Sequence, residues 1–158
     1  MKEDNFTFDI NSIINTYQDM VTRICLLNLK NEEDAKDCFQ NVFLKLMNTD
    51  TSFHDESHLK HWLIRVTINE CKNYHRFLNK SVQLAEIVIP YVDRKEFTLL
   101  PEVLKLPKKY KNTLYLYYYE GYKITEIAKI LNCNENTVKS YLKRGRELLR
   151  KRLGDCYE

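Results

Sequence analysis

The stretch that decides the fold is CNENTVKSYLKRGRELLRKRL, residues 133–153. Its apolar residues recur at helical spacing, and nearly all of its charges have one sign. The stretch contains two acidic residues, Glu135 and Glu147, and seven basic ones: Lys139, Lys143, Arg144, Arg146, Arg150, Lys151 and Arg152. Because like charges repel along a helix, the pattern predicts a helix that lies against something negative. For the charge run by itself, a solvated helix end favoured by the helix dipole remains an alternative.

The residues just before this stretch predict a helix-turn-helix. ITEIAKIL, residues 124–131, has one apolar face, with the small Ala128 where two helices would cross. Three residues follow, of which Asn132 tolerates a left-handed conformation and Asn134 can cap the second helix. Two helices joined by so short a turn are typical of DNA-binding proteins. In that geometry, the first residues of the second helix read base edges and its later basic residues meet phosphates.

The charge of the chain divides unequally between its two halves. Residues 1–90 hold ten Lys or Arg and thirteen Asp or Glu, a net charge of −3, whereas residues 91–158 hold fifteen and nine, a net charge of +6. The C-terminal part therefore suits a polyanion such as a nucleic acid. For the N-terminal part we expect a different partner, namely a protein.

Composition limits the class of protein. With 158 residues, 44% of them hydrophobic, the chain can form one medium domain or two small ones. Only three Gly and three Pro are present, which argues against a sandwich or barrel. The five cysteines are odd in number and form no CxxC pair, so we expect no disulfide framework and a reducing compartment. No run of about 18 apolar residues occurs, and we expect a soluble, cytoplasmic protein.

Helical periodicity extends over most of the N-terminal half. It predicts a first helix at about residues 10–29, a second that begins after a cap at Asn31, and a third at about residues 58–78. The polar residues 48–58 between the last two predict a loop. Three helices of this length can enclose one small core.

The C-terminal half begins a second set of helices. Pro107 is expected in the first turn of a helix, where its missing N–H costs nothing, and that helix should end near Gly121. We therefore predict an all-α fold of two small helical domains, at residues 1–80 and 98–158, joined by a linker at residues 81–97.

Two blocks of the sequence resemble a known family. LPKKYKNTLYLYYYEGYKITEIAKILNCNENTVKSYLKRGRELLRKRL, residues 106–153, is similar to region 4 of the sigma-70-type RNA polymerase sigma factors, which reads the −35 promoter element. NEEDAKDCFQNVFLKLM, residues 31–47, and HLKHWLIRVTINECKNYHRF, residues 58–77, are similar to region 2. Both blocks occur in the family's order with a short linker between them. This organisation resembles the small two-domain extracytoplasmic-function (ECF) type.

The resemblance implies roles for individual residues. It places the −35 contacts on Asn136, Thr137, Lys139, Ser140, Lys143 and Arg144. It places the surface that binds the polymerase β′ clamp helices on Asp34, Asp37, Gln40 and Asn41. It places on Asn69 a residue that helps to hold a flipped base of the −10 element. The spacings of four, three and four residues put Arg65, Asn69, Lys72 and Arg76 on one polar helix face that can follow a DNA strand, so we expect the −10 contacts on these four.

The resemblance also implies what the protein works with. The expected partners are core RNA polymerase, through the β′ clamp helices and the β flap, promoter DNA, and an anti-sigma factor. No catalytic residue, metal, cofactor or small-molecule substrate is expected, and the protein is not expected to be an enzyme. Three residues depart from the family's usual pattern: Asn41 for Glu, Lys123 for a Ser or Thr cap, and Gly145 for Ala.

Other interpretations use parts of the same sequence. A transcription repressor or activator would use the helix-turn-helix without engaging polymerase, and a polymerase-binding inhibitor would not need the basic helix. Trp62 and Tyr117 to Tyr119 could stack on single-stranded DNA, although Trp62 and some of the tyrosines suit the core better. Two further alternatives are a zinc site at His58, His61, Cys71 and His75 and a catalytic pair at Asp34 and Asp37, but neither has the required full set of groups.

Overall fold

The computed structural model describes residues 9–78 and 100–157, and the side chains of residues 75–78, 100 and 155–157 are not described. The chain divides into two compact units, Met1–Ile89 and Pro90–Glu158. All elements of regular structure in the described residues are helices, as the sequence predicts. The predicted linker at residues 81–97 lies outside the described residues.

The first unit is a bundle of three helices: α1 at Ile10–Asn28, α2 at Glu32–Asn48 and α3 at Glu56–Leu78. Each of them packs on the other two. Their apolar faces meet in a core whose fully buried apolar side chains include Val21, Ile24, Val42, Leu59, Leu63 and Ile64. Asn31 caps α2 as predicted, because its Oδ1 accepts from the backbone N–H of Asp34 at 2.7 Å.

The segment between α2 and α3 differs from the sequence prediction. The third helix begins at Glu56, two residues early, because Asp55 Oδ1 accepts from the backbone N–H of His58 at 2.8 Å and so caps it. The loop is also not wholly polar, since Phe53 is only 2% exposed. Its ring meets the half-buried Trp62 edge to face at 5.5 Å between centroids. Trp62 thus packs on the loop at the edge of the core.

The second unit contains α4 at Leu100–Leu104, α5 at Lys108–Leu114, α6 at Ile124–Leu131 and α7 at Glu135–Tyr157. Helices α4, α5 and α6 all pack on α7. The most deeply buried side chains are Thr113, Leu116, Ile127, Val138 and Leu142. Pro107 lies one position earlier than predicted, as the cap of α5, where its carbonyl accepts from Tyr110 and Lys111.

A π-helical turn at Tyr115–Tyr119 continues α5, where the sequence predicted an uninterrupted α-helix. The N–H of Glu120 donates to the carbonyl of Tyr115 at 3.1 Å, and Gly121 then takes a positive φ of 73°. Of the three consecutive tyrosines, Tyr118 and Tyr119 are exposed and Tyr117 is half-buried. The prediction that some of these three lie in the core was therefore wrong. Among the described tyrosine side chains of this unit, the buried ones are Tyr110, Tyr115 and Tyr122.

Gly145 lets α5 and α7 approach closely. A Cβ at this position would lie 3.0 Å from Leu114 Cδ1 and 3.4 Å from Tyr110 Cβ. A glycine inside a helix costs roughly 1 kcal/mol relative to alanine, and close packing of the two helices offsets that cost. On the same apolar face, Leu148 is 37% exposed and Arg152 is exposed, so this face is buried only as far as Leu142 and Gly145.

We expect Gly145→Val to lower the free energy of unfolding of the second unit by about 1–2 kcal/mol, because it overpacks the contact with Leu114. The matched control is Gly154→Val in the same helix, where a Cβ would have no neighbour within 4 Å. The control should change stability by less than about 0.5 kcal/mol. Urea unfolding followed by circular dichroism measures both variants. Equal destabilisation would contradict the packing explanation.

Candidate nucleic-acid and polymerase interfaces

The turn between α6 and α7 is built by two asparagines, as predicted. Asn132 takes the left-handed conformation, with φ of 53° and ψ of 52°, and the N–H of Cys133 donates to the Ala128 carbonyl at 3.0 Å. Asn134 Oδ1 accepts from the backbone N–H of Thr137 at 2.8 Å and from its hydroxyl at 2.9 Å. The helix-turn-helix therefore has the geometry that the sequence predicts.

The start of α6 shows how the chain manages without the usual Ser or Thr cap. Lys123 makes no side-chain cap, and instead Glu126 accepts from the backbone N–H of Lys123 at 3.4 Å. Ala128 is 7% exposed, and Ile127 is fully buried. Helix α6 packs on α7, and its buried Ile127 and Ala128 belong to the core of this unit.

The first three turns of α7 present polar and basic side chains to solvent. Five of the six predicted −35 residues are exposed: Asn136, Lys139, Ser140, Lys143 and Arg144. Thr137 is half-buried, and its hydroxyl already donates to Oδ1 of the capping residue Asn134. None of the three basic side chains forms an ion pair with another described residue. A cluster of unneutralised cations at a helix start, next to a short turn, suits a polyanion.

On the first unit, the start of α2 carries two carboxylates that meet a tyrosine of α3. The Tyr74 hydroxyl lies 3.0 Å from Asp34 Oδ1 and 3.2 Å from Asp37 Oδ2, and it donates to them. Burial and the hydrogen bond to Asp34, followed by that to Asp37, raise the pKa of Tyr74, so the phenol keeps its proton. Asn31 Nδ2 also donates to Asp34 at 2.9 Å. Asp37 remains exposed, so its carboxylate can still meet a partner.

The exposed face of α2 continues beyond these carboxylates. The two other predicted polymerase-binding residues, Gln40 and Asn41, are exposed. Next to them lie Leu44, 52% exposed, and Met47, 61% exposed. Sequence reasoning did not single out these two, although two large apolar residues outside the core-facing positions of a helix were the available signal. A face that combines acidic, amide and apolar groups suits a protein partner better than DNA.

On α3, the structure exposes Arg65, Asn69 and Lys72. Their spacing places them on one face of the helix, as predicted. The side chain of the fourth −10 residue, Arg76, lies outside the described residues. The histidines proposed for zinc form no group with metal-ligating geometry within residues 9–74. His58 instead accepts from the backbone N–H of His54 through Nδ1 at 3.2 Å.

We expect Tyr74→Phe to lower the free energy of unfolding by about 0.5–1.5 kcal/mol, because it removes the hydrogen bonds between α3 and α2. A double-mutant cycle with Asp34→Ala and Asp37→Ala isolates this interaction. In that background the tyrosine substitution should have almost no effect on urea unfolding. An undiminished effect would show that Tyr74 stabilises the bundle through packing instead.

The matches to known proteins cover both units. The family model described as "Sigma-70 region 2" matches residues 13–80, and the one described as "Sigma-70, region 4" matches residues 102–149. The ECF RNA polymerase sigma factor SigW of Bacillus subtilis is 30% identical, over 90% of this chain and 88% of that protein. The ECF RNA polymerase sigma-E factor of Haemophilus influenzae is 29% identical, over 90% and 86%.

Solved structures show the same fold. The sigma factor RpoE of Bartonella quintana, in complex with the anti-sigma factor NepR, matches with a TM-score of 0.74 at 20% identity, over 91% of this chain and 96% of that one. CnrH, in complex with the cytosolic domain of CnrY, matches with a TM-score of 0.67 at 19% identity, over 94% and 89%. Within the described residues, no helix is both long enough and apolar enough to cross a membrane. The two family models and the similarity to SigW show that the chain belongs to the sigma-70 family as an ECF-type sigma factor. This class acts in promoter-specific transcription initiation.

Proposed function

We propose that this protein binds core RNA polymerase through its first unit and selects promoters through both units, with domains at residues 1–80 and 98–158. The observation that carries the proposal is the unneutralised basic start of α7, held in a helix-turn-helix whose two turn-forming asparagines have the required geometry. This helix enters the major groove at the −35 element. Lys139, Ser140, Lys143 and Arg144 face the bases, and Asn136 and Thr137 lie by the phosphates.

The exposed face of α2 is the polymerase-binding surface. Asp34, Asp37, Gln40 and Asn41 supply its polar groups, and Leu44 and Met47 add apolar area next to them. A protein interface needs both, because buried apolar side chains supply affinity while charges supply orientation. The β′ clamp helices are the expected partner, and the second unit would contact the β flap.

The exposed face of α3 meets the −10 element. Opening a duplex requires basic groups that follow one strand and a pocket for an unstacked base. Unstacking that base costs a few kcal/mol. Arg65, Lys72 and Arg76 supply the positive charge, and Asn69 supplies an amide that can hydrogen-bond a base edge. The protein acts by binding, and the chemistry of RNA synthesis belongs to the polymerase.

An anti-sigma factor is a further partner. Two solved structures that share this fold are complexes: the sigma factor RpoE with the anti-sigma factor NepR, and CnrH with the cytosolic domain of CnrY. The exposed apolar residues Leu44, Met47 and Tyr118 offer contact area for such a protein.

Gel filtration of the full chain with bacterial core RNA polymerase tests the proposal. Co-elution at equal molar ratio is expected, together with weak binding of promoter DNA by the protein without polymerase. The rival is a repressor or activator that never engages polymerase. Tight DNA binding by the protein without polymerase, combined with no co-elution, would overturn the proposal in favour of that rival.

A further inference from the structure

Three cysteines from three different helices meet in the core of the first unit. They are Cys25 of α1, Cys38 of α2 and Cys71 of α3, and their side chains are at most 1% exposed. The Sγ atoms of Cys38 and Cys71 lie 3.3 Å apart, and all three sulfurs lie within 4.8 Å of one another. The sequence separations of 13 and 33 residues give no recognised motif, and sequence reasoning expected no metal site.

We propose that Cys25, Cys38 and Cys71 form a three-sulfur site for a thiophilic trivalent ion, of which arsenic(III) is the type. Thiolates select soft ions. With bonds of about 2.3 Å and the angles of about 100° of a pyramid, the sulfurs around one ion lie about 3.5 Å apart, so the widest pair has to close by up to about 1.3 Å. Side-chain rotation at the three cysteines can supply a movement of this size.

The number of ligands argues against zinc. Structural zinc sites have four ligands, and the described His, Cys, Asp and Glu residues bring no fourth group to this cluster. Arsenic(III) binds three sulfurs in a pyramidal geometry, and its lone pair occupies the fourth position. The geometry of one thiol from each of three helices matches that requirement.

Charge leads to the same choice. All three cysteines are buried, and two charged residues that act on Cys38, namely Lys45 and Glu70, already pair with each other. A net charge left in such a core is costly. Three thiolates with Zn²⁺ would leave −1, and with Cu⁺ they would leave −2, whereas a trivalent ion leaves none.

The exchange reaction is neutral overall. Arsenous acid, As(OH)₃, reacts with three cysteine thiols to give As(S-Cys)₃ and three molecules of water. Three As–O bonds break and three As–S bonds form. Each thiol proton leaves with a hydroxide as water, and no atom changes oxidation state. The product links α1, α2 and α3 covalently through one ion, so it should stabilise the folded bundle against the unfolded chain.

The site lies close to the proposed polymerase-binding surface. Cys38 is one helical turn beyond Asp34 on α2, and Cys71 is one turn before Tyr74 on α3. Linking the two helices here would fix the spacing on which the hydrogen bonds from Tyr74 to Asp34 and Asp37 depend. The inference concerns the ion site itself and does not depend on the proposed function.

The test is native mass spectrometry of the reduced, desalted full chain with sodium arsenite under anaerobic conditions. We expect one arsenic per chain, with the loss of three hydrogens, and a rise in the melting temperature of the bundle. The control variant Cys133→Ser/Cys156→Ser keeps the three core cysteines and should behave like the unaltered chain. Cys38→Ala and, separately, Cys25→Ser should no longer show arsenic bound with the loss of three hydrogens, because two thiols leave a hydroxide on the arsenic, and they should lose most of the melting-temperature rise.

Three outcomes would overturn the proposal. One is a folded, unaltered chain that retains no arsenic. Another is the same mass change, with three hydrogens lost, in Cys38→Ala and in Cys25→Ser, which would place the ion elsewhere. The third is a preference for Zn²⁺ over arsenic(III) in direct competition, which would contradict the argument from charge and ligand number. In the first case the three cysteines act as small apolar core residues.

Discussion

Replacing Asp37 with arginine is expected to weaken binding to core RNA polymerase by about 2–5 kcal/mol, roughly thirtyfold at the lower end. Asp37 is exposed on α2 and shares the Tyr74 hydroxyl with Asp34. On the proposed interface, this carboxylate meets a basic surface of the β′ clamp helices. Reversal of its charge removes the attraction and leaves two cations facing each other at a site from which water is excluded. A fluorescence titration with core polymerase at constant salt measures the change.

The matched control for this charge reversal is Asp19→Arg. Asp19 is exposed on α1, and its substitution changes the net charge of the protein by the same amount. It should alter polymerase affinity by less than about 0.5 kcal/mol. Equal losses in the two variants would show that overall charge, and not the α2 surface, decides binding. Loss of DNA binding in Asp37→Arg would show that the chain is misfolded.

The helices that sequence predicted well are those in which several local signals agree. In α2, the cap at Asn31, three acidic residues in the first turn and apolar periodicity all indicate the same helix. In the helix-turn-helix, the left-handed Asn132 and the cap at Asn134 follow from the chemistry of single residues. Local chemistry of this kind is visible in the sequence because its partners lie within four positions.

The features that sequence missed depend on contacts that are distant along the chain. Phe53 belongs to a polar stretch, and its burial follows from the neighbouring ring of Trp62. The cysteine cluster joins residues up to 46 positions apart, so it emerges only when three helices pack together. The π-helical turn at Tyr115–Tyr119 is rare enough that periodicity does not indicate it.

The candidate interfaces also include one part that the sequence predicted and one part that it missed. The basic face of α7 could be predicted because a recognition helix has its own charge pattern, and the exposed positions of Lys139, Lys143 and Arg144 agree with it. The apolar part of the α2 surface, Leu44 and Met47, was missed. An apolar residue in a sequence is first assigned to the core, and only the packed bundle shows which ones are left outside.

The last prediction concerns promoter choice at the −35 element. We expect Arg144→Ala to lower discrimination between −35 sequences by about 1–3 kcal/mol, about five- to 150-fold. Arg144 is exposed on the third turn of α7 and forms no ion pair with a described residue, so its guanidinium can form paired hydrogen bonds with a guanine. Transcription by the reconstituted polymerase from a template library randomised at −35 measures the change.

Arg150→Ala in the same helix separates base contacts from phosphate contacts. Arg150 is also exposed but lies further from the helix start, where a recognition helix meets the backbone. Its loss should weaken binding equally for all −35 sequences and reduce the slope of log K against log salt by about 1. If Arg144→Ala weakened binding equally for all −35 sequences, Arg144 would be a residue that contacts phosphates and not bases. An unchanged −35 preference, together with unchanged affinity, would show that α7 is not the helix that reads this element.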